Sequence, residues 1–114
     1  MGRFRAFVAA WNGGAGFVPA EDLGKHAHLN GGLGLANSVT PGSYEPRWNS
    51  ADVSYLAPTD QNLSSCNAKD GTEVAAAWTP TPGADEALPI NCGKWAESYA
   101  FCFWDRGFLP SEAE

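Results

Sequence analysis

At 114 residues, with 44% hydrophobic side chains and five tryptophans, the chain has room for one domain and enough apolar mass for a packed core, which excludes a disordered tail. A formal net charge of −6 argues against a nucleic-acid groove or an anionic membrane surface as partner. No apolar run is long enough for a transmembrane helix.

In chain order, Phe4, Phe7, Val8 and Trp11 recur at i, i+3, i+4, i+7 and predict a helix over 3–11, with Arg3 and Arg5 turned to water. Asn12-Gly13-Gly14 ends it, and Met1-Gly2 offers no side chain to cap its first N–H groups. From 13 to 87 Gly, Pro, Asn, Asp and Ser dominate, and no helical period is sustained. Phe17-Val18-Pro19 and Leu23 predict short extended pieces. Gly31-Gly32-Leu33-Gly34-Leu35 lacks the Lys-Ser/Thr and the preceding strand of a phosphate-binding loop. Pro41-Gly42-Ser43-Tyr44 predicts a turn. Asp52-Val53-Ser54-Tyr55-Leu56 alternates as a strand would, and Val74-Ala75-Ala76-Ala77-Trp78 suits a helical turn or a strand. Loops this long are uncommon in compact domains. Either aromatic plugs such as Trp48, Tyr55 and Trp78 hold this one, or part of it depends on neighbours outside the chain.

The last quarter is the most regular. Trp95, Tyr99, Cys102 and Phe103 fall at i, i+4, i+7, i+8 and predict a helix with one apolar face. Phe101 and Trp104 lie off that stripe, so the helix is expected to be buried on more than one side. Gly107 is the expected stop, and Phe108-Leu109-Pro110 the extended exit. Ser111 with Glu114 forms a capping box that opens a further helix, so the domain is expected to continue past this chain.

Three cysteines leave one thiol unpaired. Cys102 reads as a buried small hydrophobe. Cys66 and Cys92 sit in loop-like sequence and are the favoured disulfide, which stabilises by roughly 3 kcal/mol in the chain-entropy model and implies a secreted or periplasmic setting. His26 and His28, spaced i, i+2, would share one face of a strand and could ligate zinc or copper. No acidic or cysteine partner stands at a ligand spacing, so they read as a solvated loop pair. Asp60, Asp70 and Asp85 offer oxygens for calcium but match no binding loop, and turn capping is the plainer role. Asn62-Leu63-Ser64 fits a glycosylation sequon. Cys92 has Lys94 nearby to favour a thiolate, but no histidine adjoins it.

The run Leu88-Pro89-Ile90-Asn91-Cys92, Trp95-Ala96-Glu97-Ser98-Tyr99-Ala100-Phe101-Cys102, Trp104-Asp105 and Gly107-Phe108-Leu109-Pro110-Ser111-Glu112-Ala113-Glu114 resembles the central signature of the formylglycine-generating enzyme, or sulfatase-modifying factor, family. Gly2-Arg3-Phe4-Arg5-Ala6-Phe7-Val8 is similar to that family's early helix. The resemblance implies an irregular, loop-rich α+β fold related to C-type lectins, with residues 1–114 as the N-terminal portion of one domain. It implies a parent activity that uses copper(I) and oxygen to convert a cysteine, in a Cys-x-Pro-x-Arg target of a sulfatase, to formylglycine. The family's catalytic cysteine pair lies near the C-terminal end of the domain. None of Cys66, Cys92 and Cys102 matches it, so no catalytic, cofactor or metal role is carried over and the chain alone is expected to be inactive. The matched positions, Trp95, Tyr99, Cys102, Trp104, Leu109 and Pro110, carry over as the core helix and its exit.

Two positions depart from the pattern. Lys94 replaces the serine before the signature tryptophan, and Arg106 stands in the Gly-Gly stop. Losing a serine N-cap costs about 1 kcal/mol, and a cation beside the positive helix end adds to it. Lys94→Ser is therefore expected to raise the melting temperature, and a drop would refute the cap assignment. The alternative function is a non-catalytic module on a lectin-like scaffold, binding a protein or carbohydrate ligand through exposed tryptophans such as Trp48 and Trp78.

Overall fold

Helix α1 (Gly2–Trp11) forms where the aromatic period places it, with Phe4 and Phe7 buried. The computed structural model describes residues 1–67 and 70–110, so the box at Ser111 and Glu114 lies outside the described residues. After α1 come two one-turn helices, α2 (Ser50–Val53) and α3 (Asp60–Leu63), then strands β1 (Cys66–Asn67) and β2 (Glu73–Val74), then helix α4 (Trp95–Trp104). The strands pair antiparallel, Cys66 opposite Val74 and Asn67 opposite Glu73. The fold is thus α+β, small, and irregular over most of its length. No helix among the described residues is long and apolar enough to cross a membrane.

Helix α4 stands between two aromatic groups. On one side Phe101 lies 5.3 Å from Phe4 and 5.8 Å from Phe7, and Trp104 lies 6.1 Å from Phe7. On the other, Tyr99 lies 5.8 Å from Trp48, which Phe103 meets edge-on at 6.4 Å. Burial on two sides follows the expectation, but the buried stripe differs. The fully covered face is Ala96, Glu97, Tyr99 and Ala100, while Trp95 is 55% exposed. The small side chains of Ala96 and Ala100 let neighbouring segments approach the helix axis. A reading weighted by bulky residues overlooks them.

Trp48 and Trp78 are core residues at 1% and 4% exposure, plugs of the loop region as expected and not the exposed contact surface of the alternative reading. The Trp78 indole donates to Asp60 at 2.8 Å. Tyr55, expected as a plug, is 65% exposed. Arg5 does not face water. Its guanidinium lies 4.4 Å over the Trp78 ring and bonds Glu86 at 2.5 Å and the Thr79 carbonyl at 2.8 Å, pinning α1 to the 78–86 segment.

The strand expected at 52–56 is instead the end of α2 and the turn that follows it. Asn49 accepts the Ala51 amide at 2.8 Å and Asp52 accepts the Asn49 amide at 2.9 Å, a capping box that overrides the alternation. Thr40–Ser43 closes the expected turn at 3.1 Å with Gly42 at φ 85°, the type II form that favours glycine there. Between 75 and 77 the chain is extended, and the Asn91 side chain serves as its pairing partner, accepting from Ala77 at 2.9 Å and donating to Ala75 at 2.8 Å.

The bridge between Cys66 and Cys92 is present, with Cα atoms 5.4 Å apart. It removes Cys92 as a nucleophile. Cys102 keeps a free thiol on the half-buried flank of α4, and burial pushes its pKa up.

Helix α4 ends in a Schellman motif: the Gly107 amide reaches the Cys102 carbonyl at 2.7 Å and the Arg106 amide reaches Phe103 at 3.0 Å. The left-handed residue is Arg106, at φ 63°, and not Gly107. Arg106 is the only non-glycine residue with positive φ, among those described, that is neither Asn nor Asp. Arg106→Gly is expected to raise the unfolding free energy by about 1 kcal/mol in urea titration. A loss of stability would show that the arginine side chain contributes more than its backbone strain costs.

Candidate functional site

Two segments far apart in sequence build a cleft of about 220 Å³ at the N-terminal end of α4. Residues 22–23 and 48 pair as a short irregular ladder, with Asp22 donating to Trp48 and Trp48 to Leu23, both at 2.9 Å. Residues 35–45 fold back on themselves, the Ala36–Tyr44 bridge and the Glu45-to-Leu35 bond at 2.8 Å carrying Glu45 inward.

Glu45 there meets His26. The carboxylate takes the His26 ring Nδ1 at 2.8 Å on one oxygen and the His26 amide on the other. Burial by itself pushes the Glu45 carboxyl up, but the His26 amide, the His26 ring and the Leu35 backbone together hold it below the usual carboxylate range. The glycine-rich run has a local reason. At Gly34, φ 92°, a side chain would run into the Glu45 carboxylate. Gly24, φ 97°, has the same role on the other wall, where a Cβ would overlap Phe103 and the Tyr99 hydroxyl.

His26 and His28 are therefore not a solvated pair. His26 is 3% exposed, and its ring packs 4.5 Å from Phe108, while His28 stays exposed. The partner missing from local spacing is Glu45, nineteen residues on. A buried histidine facing a carboxylate across a loop leaves no local sequence signal.

Tyr99 closes the floor, donating its hydroxyl to the Gly24 carbonyl at 2.9 Å. Its pKa is pushed up to about 12, first by burial and then by the negative charges of Glu45 and Asp52. Trp95 forms the outer wall, its ring 4.7 Å from Tyr99, and Leu109 and Pro110 complete the rim. Four of the six signature positions thus share one cleft. The other two face away, Cys102 toward an apolar hollow of about 500 Å³ and Trp104 toward Phe7. A larger depression of about 640 Å³ beside the disulfide is lined by polar side chains such as Asn62 and Asn91, whose amides already bond Ala57 and the 75–77 segment.

The remaining candidates are structural. Asp60 accepts the Trp78 indole, and Asp70 accepts the Thr72 amide at 2.9 Å. Asp85 lies in a 3₁₀ turn. The Asn62 amide nitrogen, the atom a glycan would need, donates to Ala57 at 2.8 Å. Among the described residues no group of three or more His, Cys, Asp or Glu stands close enough to hold a metal ion. The copper of the resembled family needs a cysteine pair. Here Cys66 and Cys92 are joined to each other and Cys102 stands apart, so these residues do not fit it.

Glu97, beneath the first turn of α4, is the residue sequence reading undervalued. It is fully buried; one oxygen accepts the Lys94 amide at 2.7 Å, and the other has no hydrogen-bond partner among the described residues. Burial pushes its carboxyl up against the opposing pull of the Lys94 amide, the Lys94 charge and the Ala57 backbone. A raised folded-state pKa means that the protonated form favours folding below the unfolded value, and that this gain is lost as pH rises through the folded value. Glu97→Gln keeps a capping acceptor. It is expected to be more stable at neutral pH by about 1 kcal/mol, with the gap to wild type shrinking as pH falls toward about 4. A gap constant across that range in urea titrations would contradict the assignment.

A scan of family models, a search of curated proteins and a search of solved structures each returned no match to the chain.

Proposed function

We propose that this chain is part of a formylglycine-generating-enzyme-like domain, of the irregular lectin-related type, and that its own contribution is binding and not oxidation. The oxidation of a sulfatase cysteine is, in this reading, an activity of the parent family that this chain does not perform alone. The observation that carries the reading is the convergence of Trp95, Tyr99, Leu109 and Pro110 on one cleft that also holds the Glu45–His26 pair. An exposed aromatic wall beside a half-buried carboxylate is the build of a ligand site, with an apolar face for contact and a polar group to orient what enters. The bridge of Cys66 to Cys92 supports an oxidising compartment. The partner is then a sulfatase polypeptide or another protein or carbohydrate ligand met in that compartment.

A fragment library screened by NMR on the whole chain tests this reading. Hits are expected to cluster on Trp95, Tyr99 and His26. Hits confined to the depression beside the disulfide, or none at all, would overturn it. Incubation with copper(I), oxygen and a Cys-x-Pro-x-Arg peptide is expected to leave the peptide mass unchanged.

A further inference from the structure

We infer that the Trp95 cleft holds one neutral pyranose ring, the terminal ring of a saccharide, by stacking its C–H face on Trp95 and taking its hydroxyl protons on Glu45 and Tyr99. The inference rests on the proposed reading of the cleft as a ligand site and names what enters it.

The donor and acceptor inventory selects the ligand. A carboxylate offers about four lone-pair positions, and His26 occupies one on each Glu45 oxygen. The Leu35 backbone bonds the carboxylate as well, so about one acceptor position remains for a ligand hydroxyl. The Tyr99 hydroxyl spends its proton on Gly24 and can only accept further. The ligand must therefore donate hydrogen bonds. Anionic ligands such as phosphate, sulfate or a uronate would meet the Glu45 charge. A wholly apolar ring would cover the remaining lone pair of that carboxylate without bonding it.

Cations donate too, and a guanidinium would stack on Trp95. The position of the cleft weighs against them. Trp95 is the first residue of α4, so the positive helix end stands at the outer wall. A polyol with one apolar face suffers neither penalty. The volume of about 220 Å³ suits a single ring and not a chain of them.

The test titrates the whole chain with methyl glucopyranoside, galactopyranoside and mannopyranoside while following the Trp95 indole resonance, with methylguanidinium as the cationic arm. At least one pyranoside is expected to bind with a Kd of about 1 mM, the affinity that a ligand of this size reaches. Added salt should change that value little, and the matching disaccharide should bind within about threefold of it. Trp95→Ala, at an exposed position, should weaken binding about tenfold, and Trp95→Phe should restore part of it. Glu45→Gln should weaken it as well. Binding of methylguanidinium with no pyranoside bound, pyranoside binding unaffected by Trp95→Ala, or no pyranoside binding at all would each overturn the inference. If fragments bind the cleft and no pyranoside does, the sugar assignment falls and the ligand site stands. If neither binds, both fall.

Discussion

Phe7→Ala is expected to remove about 3–5 kcal/mol of unfolding free energy. Phe7 has no exposed surface and touches Phe4 at 5.3 Å, Phe17 at 6.4 Å, Phe101 at 5.8 Å and Trp104 at 6.1 Å. It joins α1, the segment after it and α4, so its cavity borders three pieces that cannot all close on it. For a domain of this size each kcal/mol is worth roughly 4–8 °C, and the melting temperature should fall by about 15 °C or more. Tyr55→Ala, at a residue 65% exposed, should change stability by no more than about 0.5 kcal/mol. A small loss at Phe7 would mean that α1 and α4 do not share one core.

The second large effect belongs to the disulfide. Cys66 and Cys92 are 26 residues apart, and closing a loop of that length is worth about 3–4 kcal/mol in the chain-entropy model. The enclosed segment has only short elements of its own, a two-residue strand pair and the Asn91 clamp. It is otherwise held by Trp78 in the core and by the bonds of Arg5 and the N-terminus to 79–88. Cys66→Ala with Cys92→Ala should therefore lose about that much in urea titration, and reductant should destabilise wild type to the same degree while leaving the double variant unchanged. A loss below about 1 kcal/mol would show that the denatured chain already holds these ends together.

What the sequence disclosed follows from the range over which each feature is encoded. Helices α1 and α4 are written in a periodicity that spans a few residues, and the turn at 40–43 in one Pro-Gly pair. Helix α2 was also locally written, in Asn49 and Asp52, but the apolar alternation of Val53 and Tyr55 masked it. The cleft is different in kind. Its carboxylate–imidazole bond joins residues nineteen positions apart and its hydroxyl bond joins residues seventy-five apart, through loops that carry no period. The tryptophans were legible in part: Trp48 and Trp78 face inward as plugs of the loop region and not outward as a contact surface, while Trp95, in a helix that looks buried, is half open. Arg5 shows the same limit, since its ring and carboxylate partners come from 78 and 86.

These inversions put the weight of the account on Trp95, a large aromatic residue that the fold leaves half open at the mouth of a polar cleft. A residue kept for a ligand contributes little to folding, whereas a residue of the core contributes heavily. The direct measurement is the unfolding free energy of Trp95→Ala beside that of Trp48→Ala. Trp95→Ala should cost about 1 kcal/mol or less, the worth of its contact with Tyr99, against about 3–5 kcal/mol for Trp48→Ala. Equal, large losses at both positions would return Trp95 to the core and leave the cleft without its outer wall.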